Sequence, residues 1–142
     1  MKFFIGLFIA FNLLGIAYAK DHQHGQVVTK LVIQSGDNWT GAPLPPYLNS
    51  PPEIALIRFT IPPKTTLPVH KHPAINAAYV MEGDLTVIKE GGGERVFRKG
   101  DAIIEMVDQW HHGENRGDKP VELIVFYAGS KNLPLAIKKT SP

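Results

Sequence analysis

The residues best placed to do chemistry are two histidines, His70 and His72, which stand two positions apart in an extended-looking run. In a β-strand, side chains at positions i and i+2 point to the same face, so both imidazoles can reach one point in space. Imidazole is the commonest protein ligand for zinc, copper, nickel and iron. The pair therefore predicts part of a metal site, although it names no substrate.

The first segment of the chain has the three-part layout of a secretory signal peptide. Met1-Lys2 is a short positive start, an apolar run covers residues 3–16, and Ala17-Tyr18-Ala19 has the small-x-small form of a cleavage site. The apolar run is shorter than the roughly 18 to 20 residues that a spanning helix needs, which disfavours a membrane anchor. We expect residues 1–19 to be a cleaved signal peptide and the mature protein to be periplasmic or secreted, without membrane contact.

Residues 20–25 are expected to form a flexible N-terminus, because chain termini are usually loose. If cleavage follows Ala19, the mature chain begins Lys20-Asp21-His22. A free amine, two amide nitrogens and an imidazole can form a square-planar set for Cu(II) or Ni(II). The sequence leaves that second metal site open.

Charge and cysteine content restrict the class of partner. The 142-residue chain has a formal net charge of +2 with both signs interspersed, which is too weak to indicate binding to nucleic acid or lipid. It has no cysteine, so an exported domain must be held together by its core rather than by disulfides. The expected partner is a small-molecule ligand or substrate.

Residues 26–142 are assigned to one all-β domain, since no stretch of the mature chain has sustained helical periodicity. Short apolar or β-branched stretches predict strands at 26–34, 53–61, 77–81, 85–88, 94–97, 102–107 and 121–128. Turns at 82–84 and 91–93 predict two hairpins. Many short strands joined by Gly and Pro turns indicate a β-sandwich or barrel. The strand at 26–34 could also pair across subunits in a homodimer.

The stretch around the histidine pair resembles the first motif of the cupin superfamily. That motif is Gly, five residues, His-x-His, three or four residues, Glu, six residues and Gly. His70, His72 and Gly83 match it. Lys64 stands at the first glycine position, and Asn76 stands where the family places a metal-binding glutamate.

Residues 100–115 resemble the second cupin motif, which is Gly, five residues, Pro-x-Gly, two residues, His, three residues and Asn. Gly100, His111 and Asn115 match, whereas Met106-Val107-Asp108 replaces Pro-x-Gly. The two motifs span roughly residues 53–128. The resemblance implies a small single-domain cupin, a double-stranded β-helix or jelly-roll barrel that holds a metal inside one end.

Carried over to this chain, the resemblance implies a metal site of His70, His72 and His111, with Asn76 at the fourth ligand position. Three neutral imidazoles and a weakly donating amide leave coordination positions open, as in catalytic rather than structural sites. The ion would be a divalent transition metal, namely zinc, copper, nickel, iron or manganese. The alternative is a metal-free barrel in which the histidines hydrogen-bond polar groups of a pocket.

Neighbouring residues receive more local interpretations. His112 is expected to face away from His111, because adjacent strand residues point to opposite sides. Glu105 could act as a general base if it pointed inward, but a solvated position is preferred because charged side chains are rarely buried unpaired. Asn115 is expected to make turn hydrogen bonds. Candidates for pocket lining, each more often a core residue, are Trp39, Tyr47, Phe59, Tyr79, Met106 and Trp110.

Two functions therefore stay open. One is an exported metalloenzyme, such as a dioxygenase, isomerase or lyase, that acts on a small organic molecule. The other is a small-ligand or metal-binding module without turnover, which the amide of Asn76 favours. A stress-related scaffold dimer is a weaker third interpretation. Loss of the 2-His-1-carboxylate set argues against ordinary non-haem Fe(II) oxygenase chemistry.

Overall fold

A computed structural model describes residues 26–140, so the expected signal peptide at 1–19 and the flexible start at 20–25 lie outside the described residues. The ten strands are β1 Pro52–Ile61, β2 Thr65–Thr66, β3 His70–Lys71, β4 Asn76–Glu82, β5 Asp84–Lys89, β6 Glu94–Arg98, β7 Ala102–Ile104, β8 His111–Asn115, β9 Val121–Ser130 and β10 Ile137–Lys138. Within the described range, no helix is long and apolar enough to cross a membrane.

The strands form two antiparallel sheets, which confirms the predicted all-β class. One sheet has the order β1-β9-β4-β7, and the other has the order β10-β3-β8-β5-β6, with β2 joined to β8. One cluster of buried apolar side chains draws on both sheets. The inner faces of the sheets therefore meet in a common core, and the histidine pair lies on the second sheet.

Strand β9 shows most clearly how the sequence builds this core. Val121, Leu123, Val125 and Tyr127 are each at most 6% exposed, while the intervening residues point outward. This alternation follows from the two-residue period of a strand. Burying each such aliphatic side chain contributes roughly 1.5 to 3 kcal/mol. The same inward face brings the Tyr127 ring next to the histidines.

The turn at Gly83 corrects one predicted hairpin. Strand β4 pairs with β7 and β9, whereas β5 pairs with β6 and β8, so the two flanking strands lie in different sheets. Gly83 has φ of 78°, and a Cβ there would lie 2.8 Å from the carbonyl oxygen of Pro120. Only glycine fits this sharp crossing. The second predicted hairpin, through 91–93, is confirmed by the pairing of β5 with β6.

The predicted strand at 26–34 is wrong for the single chain. Residues 26–35 form no strand, and Val27 and Val28 are each 90% exposed. β-Branched composition makes an extended backbone favourable, but a strand also needs a neighbouring edge to pair with. In the described part of the chain, this segment pairs with no strand edge.

Two of the substitutions in the cupin-like motifs keep the backbone that glycine would adopt. Lys64 and Asp108, which stand at motif glycine positions, both have φ of 55°. Both residues also make contacts with other segments: Lys64 Nζ donates to the carbonyl oxygen of Arg116, and the Asp108 amide donates to the carbonyl oxygen of His72 at 2.8 Å. The turn that follows β7 is thus hydrogen-bonded to the backbone of the histidine stretch.

Candidate metal centre

The fold brings together the three predicted histidines. His70 in β3 pairs directly with His111 in β8, and His72 follows β3 on the same face as His70. One ring nitrogen from each residue lies within 4.8 Å of the other two. Backbone pairing between β3 and β8 therefore joins residues that are about forty positions apart into a group that could hold a metal.

Backbone carbonyl groups determine which nitrogen of each histidine ring carries the proton. Each Nδ1 lies 2.8 to 2.9 Å from a carbonyl oxygen, and the pairs are His70 with Pro68, His72 with Leu135, and His111 with Gln109. A carbonyl can only accept, so each Nδ1 carries the proton and donates it. Each Nε2 is then left with a lone pair, as in histidines that ligate metals through Nε2.

Burial keeps these imidazoles neutral. Desolvation lowers the pKa of His70, His72 and His111, and it outweighs the hydrogen bonds to carbonyls, which act in the opposite direction. The pKa of His72 falls to about 4. Neutral imidazole is the form that binds metal ions, so no proton has to be displaced at pH 7.

Asn76 lies at the start of β4 and is completely buried. Its Nδ2 makes only a long contact, 3.4 Å, with the carbonyl oxygen of Ala74. Its Oδ1 has no hydrogen-bond partner in the described protein. The side chain lines the same cavity as the histidines, so an uncharged oxygen faces the place where the cupin motif has a carboxylate.

Glu105 is the main correction to the sequence interpretation of the site. Its preferred solvated position is wrong: the residue is only 8% exposed, and its Oε2 lies 3.6 Å from Nε2 of His111. Burial raises the pKa of Glu105 to about 7. The alternation of side chains along a strand could have shown this. Glu105 is two residues after Ile103 and so shares its face, and the apolar side chain of Ile103 belongs to the core.

A cavity of about 230 Å³ contains all of these polar groups. Most of its wall is apolar, including Leu85, Val87, Val125 and the ring of Tyr127, which lies 5.7 Å from the His72 ring between centroids. A small cavity with apolar walls and a few convergent polar groups suits a small organic molecule. Sequence reasoning missed Tyr127, since nothing local shows that β9 passes the histidines.

Of the predicted lining candidates, only Phe59 borders this cavity. Met106 is fully buried elsewhere, Trp39 packs edge-on against Phe97 at 6.2 Å, and Tyr79 is 39% exposed. Tyr47 and Trp110 also lie outside the lining. Among the aromatic candidates, Trp39 packs against the core, but Tyr47 and Tyr79 are 82% and 39% exposed, so the expected core role holds for only part of the set.

His112 and Asn115 have the structural roles expected of them. His112 Nε2 contacts Glu114 Oε1 at 3.2 Å on the outer side of β8, away from the cavity. The Asn115 amide donates to the carbonyl oxygens of Ile61, Pro62 and Lys119, and its Oδ1 accepts from the Gly117 amide. Asn115 therefore ties the end of β1 to the turn before β9.

Three buried polar atoms around the cavity have no hydrogen-bond partner among the described residues: Asn76 Oδ1, Glu105 Oε2 and His111 Nε2. Each such atom costs roughly 1 to 3 kcal/mol if it stays unpaired. All three are electron-pair donors once His111 carries its proton on Nδ1. A divalent cation among them would satisfy all three together, so the donor set fits a transition-metal ion.

The family model of the cupin domain matches residues 57–127, which are 71 of the 142 residues. The chain belongs to the cupin family. The matched range contains all three histidines, Asn76 and Glu105, as well as strands from both sheets. Membership agrees with the two motifs and with the two-sheet jelly-roll architecture.

Solved structures with this fold include an oxalate oxidase in complex with the substrate analogue glycolate, at 26% identity and a TM-score of 0.53. A DMSP lyase, DddQ of Ruegeria pomeroyi, is 21% identical with a TM-score of 0.54. The polyketide cyclase RemF of Streptomyces resistomycificus is 18% identical with a TM-score of 0.54. These matches cover 60%, 70% and 66% of this cupin.

The matches cover only 45% of the oxalate oxidase chain and 47% of the lyase chain, and 65% of the cyclase chain. No curated protein matches the sequence. The two matches below 25% identity show the fold alone. The shared feature is thus the cupin domain rather than a whole enzyme.

Proposed function

We propose that this cupin is an exported metalloprotein that binds one divalent transition-metal ion through Nε2 of His70, His72 and His111 and acts on a small organic molecule. The observation that carries the proposal is the arrangement of the three imidazoles. All three are neutral, each is held by a carbonyl at Nδ1, and their ligand nitrogens lie within 4.8 Å of one another. Zinc, copper, nickel, iron and manganese are all acceptable to such a set.

Different parts of the cavity would bind the ion and the substrate. The carbonyls of Pro68, Gln109 and Leu135 orient the rings before any ion arrives, which reduces the entropy lost on binding. The apolar wall excludes water and limits the size of the substrate. When bound, a divalent ion would polarise a substrate oxygen and acidify a coordinated water.

An anionic substrate suits the site because a dication held by three neutral imidazoles keeps a net positive charge even beside the one carboxylate of Glu105, and such a charge attracts anionic oxygens. The similar oxalate oxidase holds glycolate, a small carboxylate, which makes this class the first to test. Export to the periplasm or the medium is supported by the layout of residues 1–19.

The test has two stages. The purified protein is stripped with a chelator, reloaded separately with Zn, Cu(II), Ni, Fe(II) or Mn(II), dialysed and analysed for bound metal. One ion per chain is expected, and a metal content well below one for every ion would contradict the proposal. The loaded protein is then incubated with oxalate, short hydroxy acids, keto acids and phenols, and consumption of each is followed.

Turnover of at least one compound is the expected result. One bound ion per chain with no consumption of any of these compounds would instead support the alternative function, a metal-binding or small-ligand module. The amide of Asn76 in place of a carboxylate favours that alternative, since it weakens retention of a catalytic metal.

A further inference from the structure

We propose that Glu105 supplies the carboxylate ligand that β4 lacks, so that the metal site is completed from the neighbouring strand; this rests on the proposed function. Strand β7 pairs with β4, and Glu105 directly follows it. The Glu105 amide donates to the carbonyl oxygen of Asn76 at 3.1 Å. The two residues are therefore neighbours across two paired strands, and both side chains line the cavity.

The position of the carboxylate suits a shared ion. Donors that each lie about 2.1 Å from one ion are about 3.0 to 3.4 Å apart in octahedral or tetrahedral geometry. Oε2 of Glu105 is 3.6 Å from Nε2 of His111, slightly beyond that range. The carboxylate is not part of the group of ligand atoms that lie within 4.8 Å of one another, so it would join an ion held there by rotation about the torsions of the glutamate side chain.

The surroundings of Glu105 also need a cation. Its only acid–base contact among the described residues is with His111, which is neutral. The ionised form of this carboxyl is costly in its buried place, which is why burial raises the pKa of Glu105, and a bound dication would remove that cost. Asn76 then has a clear reason to be uncharged, because a second carboxylate beside Glu105 would repel it.

The test compares Glu105→Gln, Asn76→Glu and the double variant by competition of Mn(II) with a chelator and by the EPR spectrum of bound Mn(II). Glu105→Gln has the same shape and is expected to weaken Mn(II) binding by about 10- to 100-fold. The double variant returns the carboxylate to β4 and is expected to restore affinity to within a few-fold of wild type. Asn76→Glu is expected to raise the Mn(II) affinity less in the wild-type protein than in the Glu105→Gln variant.

Glu114→Gln is the matched control, since Glu114 lies on β8 but contacts His112 on the outer side. It should leave the Mn(II) affinity and the EPR spectrum unchanged. Wild-type affinity and spectrum in Glu105→Gln would overturn the role of Glu105 while leaving the three-histidine site intact. Absence of metal from the wild-type protein would instead overturn the proposed function itself.

A separate observation concerns the outer face of the first sheet. Ile54, Leu56 and Phe126 are 56%, 64% and 43% exposed, and Leu56 and Phe126 are paired across β1 and β9. Strand β1 is ten residues long and pairs only with β9, so its other edge is open in the described protein. An open edge beside exposed apolar side chains is a surface that proteins usually cover.

We infer that a second copy of this chain covers it, with residues 26–34 of each copy added as a strand to β1 of the other. The segment is apolar and β-branched, and no backbone hydrogen bond joins it to the rest of the described chain. Its nine residues match the ten-residue edge in length. Since strand and edge occur in the same chain, mutual exchange closes a two-fold dimer.

Leu31→Pro tests this dimer, with light scattering of the exported protein, purified after cleavage of residues 1–19, following gel filtration. Leu31 is 74% exposed and makes no strand, so proline should not disturb the fold, but it removes an amide from the added strand. Wild type is expected to be a dimer and Leu31→Pro a monomer, with Leu31→Thr remaining dimeric. A monomeric wild type at high micromolar concentration, or a dimeric Leu31→Pro, would overturn the inference.

Discussion

His111→Ala is expected to abolish stoichiometric metal binding, with at least a 100-fold loss of affinity, or about 2.7 kcal/mol. His111 is the most deeply buried of the three imidazoles, and its Nε2 has no other partner in the described protein. The variant would keep His70 and His72, with Glu105 at most as a third ligand, and would lose the imidazole by which β8 closes the group. Metal analysis after dialysis, with titration of Zn(II) or Ni(II) by calorimetry, measures the loss.

His112→Ala is the matched control, because the residue is adjacent in sequence but lies on the other side of β8 beside Glu114. It should bind one ion with the affinity of wild type. Circular dichroism of both variants verifies that the sheet is intact. Equal metal content in the two variants would show that the ion is not held by the inner face of β8.

Asn115→Ala is expected to lower the free energy of unfolding by about 3 kcal/mol. The amide group donates to three backbone carbonyls, so its removal leaves the carbonyls of Ile61, Pro62 and Lys119 without that donor in a buried place. For a domain of this size, such a loss lowers Tm by roughly 10 to 15 °C. Thermal unfolding of the metal-free protein measures it.

Asn49→Ala provides the comparison, since Asn49 is exposed in the loop before β1 and should change Tm by no more than about 1 °C. Asn115→Asp distinguishes the donors from the acceptor: it keeps the oxygen that accepts from Gly117 but loses the NH₂ group. Destabilisation at least as large as that of Asn115→Ala is expected. A stable Asn115→Asp would mean that the three carbonyls find other donors.

The parts of the site that sequence could predict are those that depend on local spacing. His70 and His72 share a face because a strand has a period of two, and motif spacing placed His111 at the same point. The all-β class followed from short strands and turn residues. The same local reasoning failed at Gly83, because a tight turn looks alike whether it joins two paired strands or passes from one sheet to the other.

The groups that sequence could not place are those set by contacts between distant segments. The carbonyl oxygen of Leu135 accepts a hydrogen bond from the ring of His72, and the two residues are 63 positions apart in the sequence. Tyr127 reaches the histidines because β9 pairs with β4. The segment 26–34 pairs with no strand in the described part of the chain, although β1 has an open edge there. Strand propensity indicates that a segment is extended, but it does not indicate which other strand the segment pairs with.

Sequence by itself determined that this protein has two same-face histidines in a cupin motif with an amide where a carboxylate is usual. Only the tertiary structure decided that a carboxylate is nevertheless present, on Glu105 of the adjoining strand segment and 3.6 Å from His111. The physical reason is that side-chain periodicity is a local property, whereas the register between β4 and β7 depends on packing of the whole sheet.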